Sequence, residues 1–202
     1  MERGQAAREL DMFMRHQTGV AKASSVAAYV RILLENGEPV LLSGWHRDVY
    51  DIWMKELAEF NPVLYTGSES PAAKQKAKED FISGKTNLFI ISNRSGIGLD
   101  GLQHRCNHVV IGELDWSPMV HKQIIGRVDR DGREGGEVFV HYPVCDFGSD
   151  PFIIDLLGLK SSQAFGITDP LAAIPQQYSD DSRIKMMVKS ILYMRITHQN
   201  QN

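Results

Sequence analysis

The chain has little cysteine. Its 202 residues hold two, Cys106 and Cys145, well separated in sequence. That leaves no disulfide framework and favours reduced thiols in a protein of cytosolic type. No apolar run approaches the roughly 18 residues a membrane helix needs. The N-terminus, M-E-R-G-Q-A-A-R-E-L, lacks the apolar core of a secretory signal. Neither a membrane span nor secretion is expected, and the protein should work in the cytoplasm, nucleoid or nucleus. Strong charge of one sign is also missing. A net charge of −3 argues against coating nucleic acid by bulk attraction. Local basic clusters do occur. Arg183, Lys185, Lys189 and Arg195 lie in a stretch without acids, and Lys74, Lys76, Lys78 and Lys85 stand against Glu79 and Asp80. Internal repeats and low-complexity tracts are absent.

What is present is an alternation of strand and helix patterns, with 43% hydrophobic and 23% charged residues. Apolar runs at 39–43, 63–65, 87–92, 108–111 and 137–142 are the strand candidates, and helical patterns between them favour a parallel sheet. Residues 24–36 place Val26, Val30, Leu33 and Leu34 on one stripe, closed by Asn36-Gly37. Residues 47–60 do the same with Val49, Ile52, Trp53, Leu57 and Phe60. Ser70-Pro71 and Ser117-Pro118 each read as a helix cap followed by proline in the first turn. After about residue 146 the pattern changes. A short helix is expected near 150–158, then a loop with Gly166, Pro170 and Pro175, then a helix at about 183–197 with Ile184, Val188, Ile191 and Leu192 facing one way.

The most informative stretch is 113–130, E-L-D-W-S-P-M-V-H-K-Q-I-I-G-R-V-D-R. Arg127 and Arg130, three apart, share one face of a helix or turn. Arginine keeps its charge, and its planar fork suits phosphate oxygens. A phosphoryl-transfer site needs such a pair where charge builds on the γ-phosphate.

Three other patterns carry less. Gly96-Ile-Gly98-Leu-Asp-Gly101 has dinucleotide-fingerprint spacing, with Glu113 and Asp115 near the place of a ribose-binding acid, but too few residues follow for the required helix. Ser83-Gly84-Lys85-Thr86 ends like a P-loop. Glu79 stands where the first glycine belongs, and a helix precedes where a strand should, so it reads as a loop. His104, Cys106 and His108 alternate like metal ligands but lack a fourth at sensible spacing, so no metal site is expected.

Taken in order, the motifs resemble the second RecA-like lobe of superfamily 2 helicases, and more closely that of Swi/Snf-type DNA translocases. V-L-L-S-G-W at 40–45 resembles motif IV, S-N-R-S-G-I-G-L-D at 92–100 resembles motif V, and Q-I-I-G-R-V-D-R at 123–130 resembles motif VI. Y-T-G-S at 65–68 with the following basic helix, and E-L-D-W-S-P at 113–118, are similar to the segments between them. The motif V region, and R-H-Q-T-G-V-A-K-A at 15–23, resemble the annealing-helicase branch. Ser117 and Asp100 depart from the family's usual residues.

The resemblance implies a RecA-like α/β lobe over 24–146, preceded by a linker or N-terminal helix at 1–23 and followed by a helical extension at 147–202. It implies that Arg127 and Arg130 reach across an interlobe cleft to ATP, with Gln123 supporting them. Gly98 and Asp100 would lie at the nucleotide edge. Ser43, Gly67, Ser68, Ser92 and Asn93 would lie along the DNA backbone. Trp116 would pack beneath motif VI rather than stack on DNA. No Walker A lysine and no D-E-x-H acid occurs in the sequence. ATP and Mg2+ are therefore expected only in a complete two-lobe enzyme, with a first RecA-like lobe and DNA as partners, and the chain alone should be inactive as an ATPase. The alternative is a non-catalytic DNA-binding or protein-interaction module derived from such a lobe.

Overall fold

A computed structural model describes residues 2–94, 99–133 and 136–158. The expected helix at 183–197 and the loop before it lie outside them. The chain divides into two compact units, one of residues 19–144 and one of residues 1–18 with those from 145 onward.

In chain order the elements are α1 (Glu2–Glu35), β1 (Val40–Gly44), α2 (Arg47–Glu56), a 3-10 turn (Ala58–Phe60), β2 (Val63–Tyr65), α3 (Pro71–Ile82), β3 (Leu88–Ser92), a second 3-10 turn (Leu102–His104), β4 (His108–Ile111), α4 (Pro118–Ile125), β5 (Phe139–His141) and α5 (Asp150–Leu157). The strands form one five-stranded sheet in the order β2-β3-β1-β4-β5. Every pairing is parallel. Central parallel strands are buried on both faces, which is why L-F-I-I and V-L-L read as unbroken apolar runs.

Register sorts the side chains. Leu42 pairs with Ile90 and with Val110, so these share a face. That face packs with Val26, Val30 and Leu34 of α1 and with Val49 and Trp53 of α2 in one buried core. Phe89 points the other way and meets Phe81 of α3, ring centroids 5.3 Å apart. Ser70 Oγ accepts from the Ala73 amide at 3.2 Å, the cap that Ser70-Pro71 implied.

Two open readings are decided and one expectation is corrected. Of the linker or N-terminal helix expected at 1–23, the stretch is helical and runs without a break into the pattern at 24–36 as α1. The pattern at 47–60 is split after Leu57, where the Phe60 amide turns back to Leu57 O at 3.0 Å and the chain tightens into a 3-10 turn ending at left-handed Asn61. Of the helix or turn expected to carry Arg127 and Arg130, it is the turn, after Ile125 at the end of α4.

In the other unit, Thr18 Oγ1 donates to Met14 O at 2.7 Å and accepts from the Ser149 amide at 2.9 Å. Asp150 Oδ2 accepts from the Cys145 amide at 3.1 Å.

Candidate functional site

Two working surfaces emerge from the larger unit. The first is the arginine turn. Ser117 and Pro118 open α4, whose entry is held by the Asp115 amide donating to His121 Nε2 at 2.8 Å and the Ser117 amide donating to Asp115 Oδ1 at 2.8 Å. At the exit, the Arg127 amide bonds to Ile124 O at 3.1 Å, and the Val128 and Asp129 amides bond to Ile125 O at 2.9 Å each. Val128 is fully buried and anchors the turn between the two arginines. Arg127 is half-buried. Burial first, then the adjacent Arg130 charge, lowers its pKa, while Asp100 and Tyr65 push the other way. Arg130 is exposed and donates to the Asp100 carboxylate. Gln123 stands exposed on α4. Gly98 lies outside the described residues.

The second surface is the rim at the carboxyl ends of β1, β2 and β3, where ligands gather on open parallel sheets. It holds a cavity of about 490 Å³ whose walls include Trp45, Arg47, Tyr50, Gly67, Ser68, Ser92 and Arg94. Arg47 Nη2 donates to Ser68 Oγ at 2.6 Å. The Arg94 guanidinium lies over the Trp45 ring, 4.0 Å from its centroid. Burial pushes the Tyr50 phenol well above its usual range.

The helicase conserved C-terminal domain model matches residues 22–132, more than half of the chain. The chain belongs to that family. This helicase C-terminal domain is 30% identical over 149 residues to a SWI/SNF-related regulator of chromatin, subfamily A-like protein 1, from Bos taurus, covering 72% of the chain but 16% of the relative. It is 28% identical over 117 residues to the ATP-dependent helicase YqhH of Bacillus subtilis, covering 57% of the chain and 20% of the relative. The C-terminal part of the Fun30 ATPase domain shares its fold, with a TM-score of 0.61 and 21% identity over 85% of this chain and 53% of that one. The architecture is thus a RecA-like lobe, and its relatives are Swi/Snf-related.

Within the helicase lobe, the expected DNA-facing residues divide. Gly67 and Ser68 are exposed, and Ser92 is partly exposed with its Oγ accepting from the Arg94 amide at 3.3 Å. Ser43 does not belong with them. It is fully buried within β1, with its hydroxyl enclosed, so it offers nothing to an external strand. Asn93 also leaves the set, being only 5% exposed, with its Nδ2 donating to Glu113 O at 3.2 Å and its amide to Gly44 O at 2.7 Å. Trp116 is buried, 7% exposed. Sequence reasoning missed Trp45, Arg47 and Arg94. The signal was available, since two arginines and a tryptophan follow the apolar runs of β1 and β3 directly.

The other patterns are resolved too. Ser83 and Gly84 close α3, with Gly84 at φ +80°, and a strand follows. After Gly101 only the 3-10 turn Leu102–His104 forms. The Cys106 thiol is buried, has Pro39 O and His108 O both within reach of its single S–H, and has its pKa pushed up to about 12 by burial. Among the described residues no group of three or more His, Cys, Asp or Glu is arranged to hold a metal.

Proposed function

We propose that this chain is the second lobe of an ATP-driven DNA translocase, donating Arg127 and Arg130 to a nucleotide held by a first RecA-like lobe. The observation that carries the reading is the arginine turn: two guanidinium groups leave one braced turn, neither fully buried, while the residue between them is locked in the core. Gln123 stands on α4 just before that turn, and Asp100 accepts from Arg130; by its motif Gly98 would also serve the nucleotide. The residues present fit a triphosphate through cationic donors alone. Mg2+ would be held by the partner lobe. When bound, ATP supplies the transferable phosphoryl group, and the arginines of this chain stabilise the charge that develops on it.

DNA would lie across the strand-end cavity, with Gly67, Ser68 and Ser92 offering small polar contacts and Arg47 and Arg94 the charge. Such contacts position a backbone without reading bases. Opening and closing of the two lobes would alternate these contacts and turn hydrolysis into stepping.

The test is to mix the chain with a separately produced first lobe and measure ATPase with and without duplex DNA. The chain alone should not turn over ATP, and the mixture should show DNA-stimulated turnover. Arg130→Ala should lower that turnover by about 10³–10⁵, or roughly 4–7 kcal/mol of barrier, with DNA affinity preserved. DNA binding without any restored turnover would instead identify a non-catalytic module. Near-normal turnover by Arg130→Ala rejects the arginine assignment.

A further inference from the structure

Glu113 lies two residues beyond the end of β4 and is only 5% exposed. Burying a carboxylate is costly unless its oxygens are satisfied. Here Oε2 accepts from the amides of Trp45 at 2.6 Å and His46 at 2.9 Å, and Oε1 meets His46 Nδ1 at 2.6 Å. The Glu113 main-chain carbonyl accepts from Asn93 Nδ2 at 3.2 Å. One residue therefore ties together the ends of β1, β3 and β4. Space is kept for it: a Cβ on Gly19 would stand 2.2 Å from Glu113 Oε1, and one on Gly44 3.0 Å from Oε2.

The residues Glu113 holds are those that start α2. His46 is the N-cap position, yet its side chain makes no cap bond to the helix, because the ring is turned to the carboxylate. The His46 ring and the Glu113 carboxyl thus share one short hydrogen bond through Nδ1. With both amides and the ring pinned, the next residue, Arg47, is aimed at Ser68, and the Trp45 ring is held beneath Arg94.

We infer that Glu113 is a positioning residue for the DNA-facing rim: its carboxylate fixes the β1–α2 loop so that Trp45 and Arg47 stand at the strand-end cavity. The inference rests on the proposed reading of that cavity as the DNA surface. It has a consequence of unusual sign. Glu113 is an acid close to a surface for a polyanion, so removing its charge would, by Coulomb attraction alone, tighten binding. A positioning role requires the opposite.

The experiment uses the full 202-residue chain and a fluorescently labelled DNA duplex, read by anisotropy over a salt series. Glu113→Gln should retain a native circular dichroism spectrum, weaken binding about ten-fold, and make the salt dependence shallower by about one unit, as expected for one lost phosphate contact. Equal or tighter binding by folded Glu113→Gln overturns the inference. His46→Ala removes only the ring side of the clamp and covers the case of a Gln variant that does not fold. It should weaken binding about three-fold, and unchanged affinity overturns the inference. The double variant Arg47→Ala, Arg94→Ala separates the two levels. If it weakens binding while Glu113→Gln does not, only the positioning role fails. If it leaves affinity unchanged, the DNA reading of the cavity fails and the positioning role with it.

Discussion

Arg130 reaches back thirty residues along the chain to donate to the carboxylate of Asp100. The arginine side chain is 38% exposed and the acid 63%, so water screens the pair strongly. Exposed ion pairs contribute about 0–1 kcal/mol. Asp100→Asn should therefore change the urea unfolding free energy of the chain by less than about 1 kcal/mol. A larger loss would mean that the pair braces the turn rather than resting upon it.

The close approach of Trp53 to two glycines gives a sharper stability prediction. Trp53 is fully buried and donates from Nε1 to Ala23 O at 3.1 Å. A Cβ on Gly112 would fall 2.6 Å from its ring, and one on Gly44 2.7 Å. Gly112→Ala must displace the indole and should cost about 1–3 kcal/mol. The measurement is the shift of the denaturation midpoint at unchanged slope, and a shift near zero would show that the ring can move aside.

His141 makes stability depend on pH. Its Nδ1 meets Tyr29 Oη at 2.7 Å and its Nε2 meets His108 Nδ1 at 3.0 Å, while His108 Nε2 faces Glu38 at 3.4 Å. Burial first, then the neighbouring His108, pulls its pKa down from 6.5 to about 4. The unfolded chain thus takes up a proton that the folded chain refuses between those values. This contribution is full above pH 6.5 and is lost as pH falls toward 4. With the ring partly open to solvent, the loss should be on the order of 1–2 kcal/mol. Thermal unfolding followed from pH 7 to pH 4 tests it, and the fall should be smaller in His141→Gln.

The two thiols should differ in reactivity. Cys106 is buried with its pKa pushed up to about 12, whereas Cys145 is partly exposed. An aromatic disulfide reagent at pH 8 should label Cys145 promptly and Cys106 only on unfolding. Fast labelling of both would show that the amino-end rim of the sheet near Pro39 opens readily.

The sheet was legible because its central strands are apolar throughout. Runs at 63–65 and 108–111 coincide with β2 and β4, and 87–92 overlaps β3. The edge strand β5 was drawn too long, at 137–142 against Phe139–His141, because Val138 and Tyr142 continue the apolar run past the paired residues. For the first part of α1 the sequence left linker and helix both open. Met12 and Phe13 are exposed, so no clean apolar stripe marks that part of the helix. The arginine turn was legible because its parts are consecutive in the chain. Ser43 and Asn93 were not. Glu113 stands 20 residues from the Asn93 it binds, and 68 from the Trp45 whose amide it accepts. Motif letters do not reveal which small polar residues such a tie consumes.

The uniform direction of the strands gives the sheet two unlike rims. Every connection must travel back along a face before the next strand begins, so the turns at Gly37 and Gly84, both left-handed in φ, sit just ahead of β1 and β3, at the amino-end rim. Asn36, beside Gly37, is exposed and free of the left-handed strain that a side chain at Gly37 would carry. That idle rim is where a reporter dye or an affinity handle can be tethered, leaving the arginine turn and the strand-end cavity free to report their own motion.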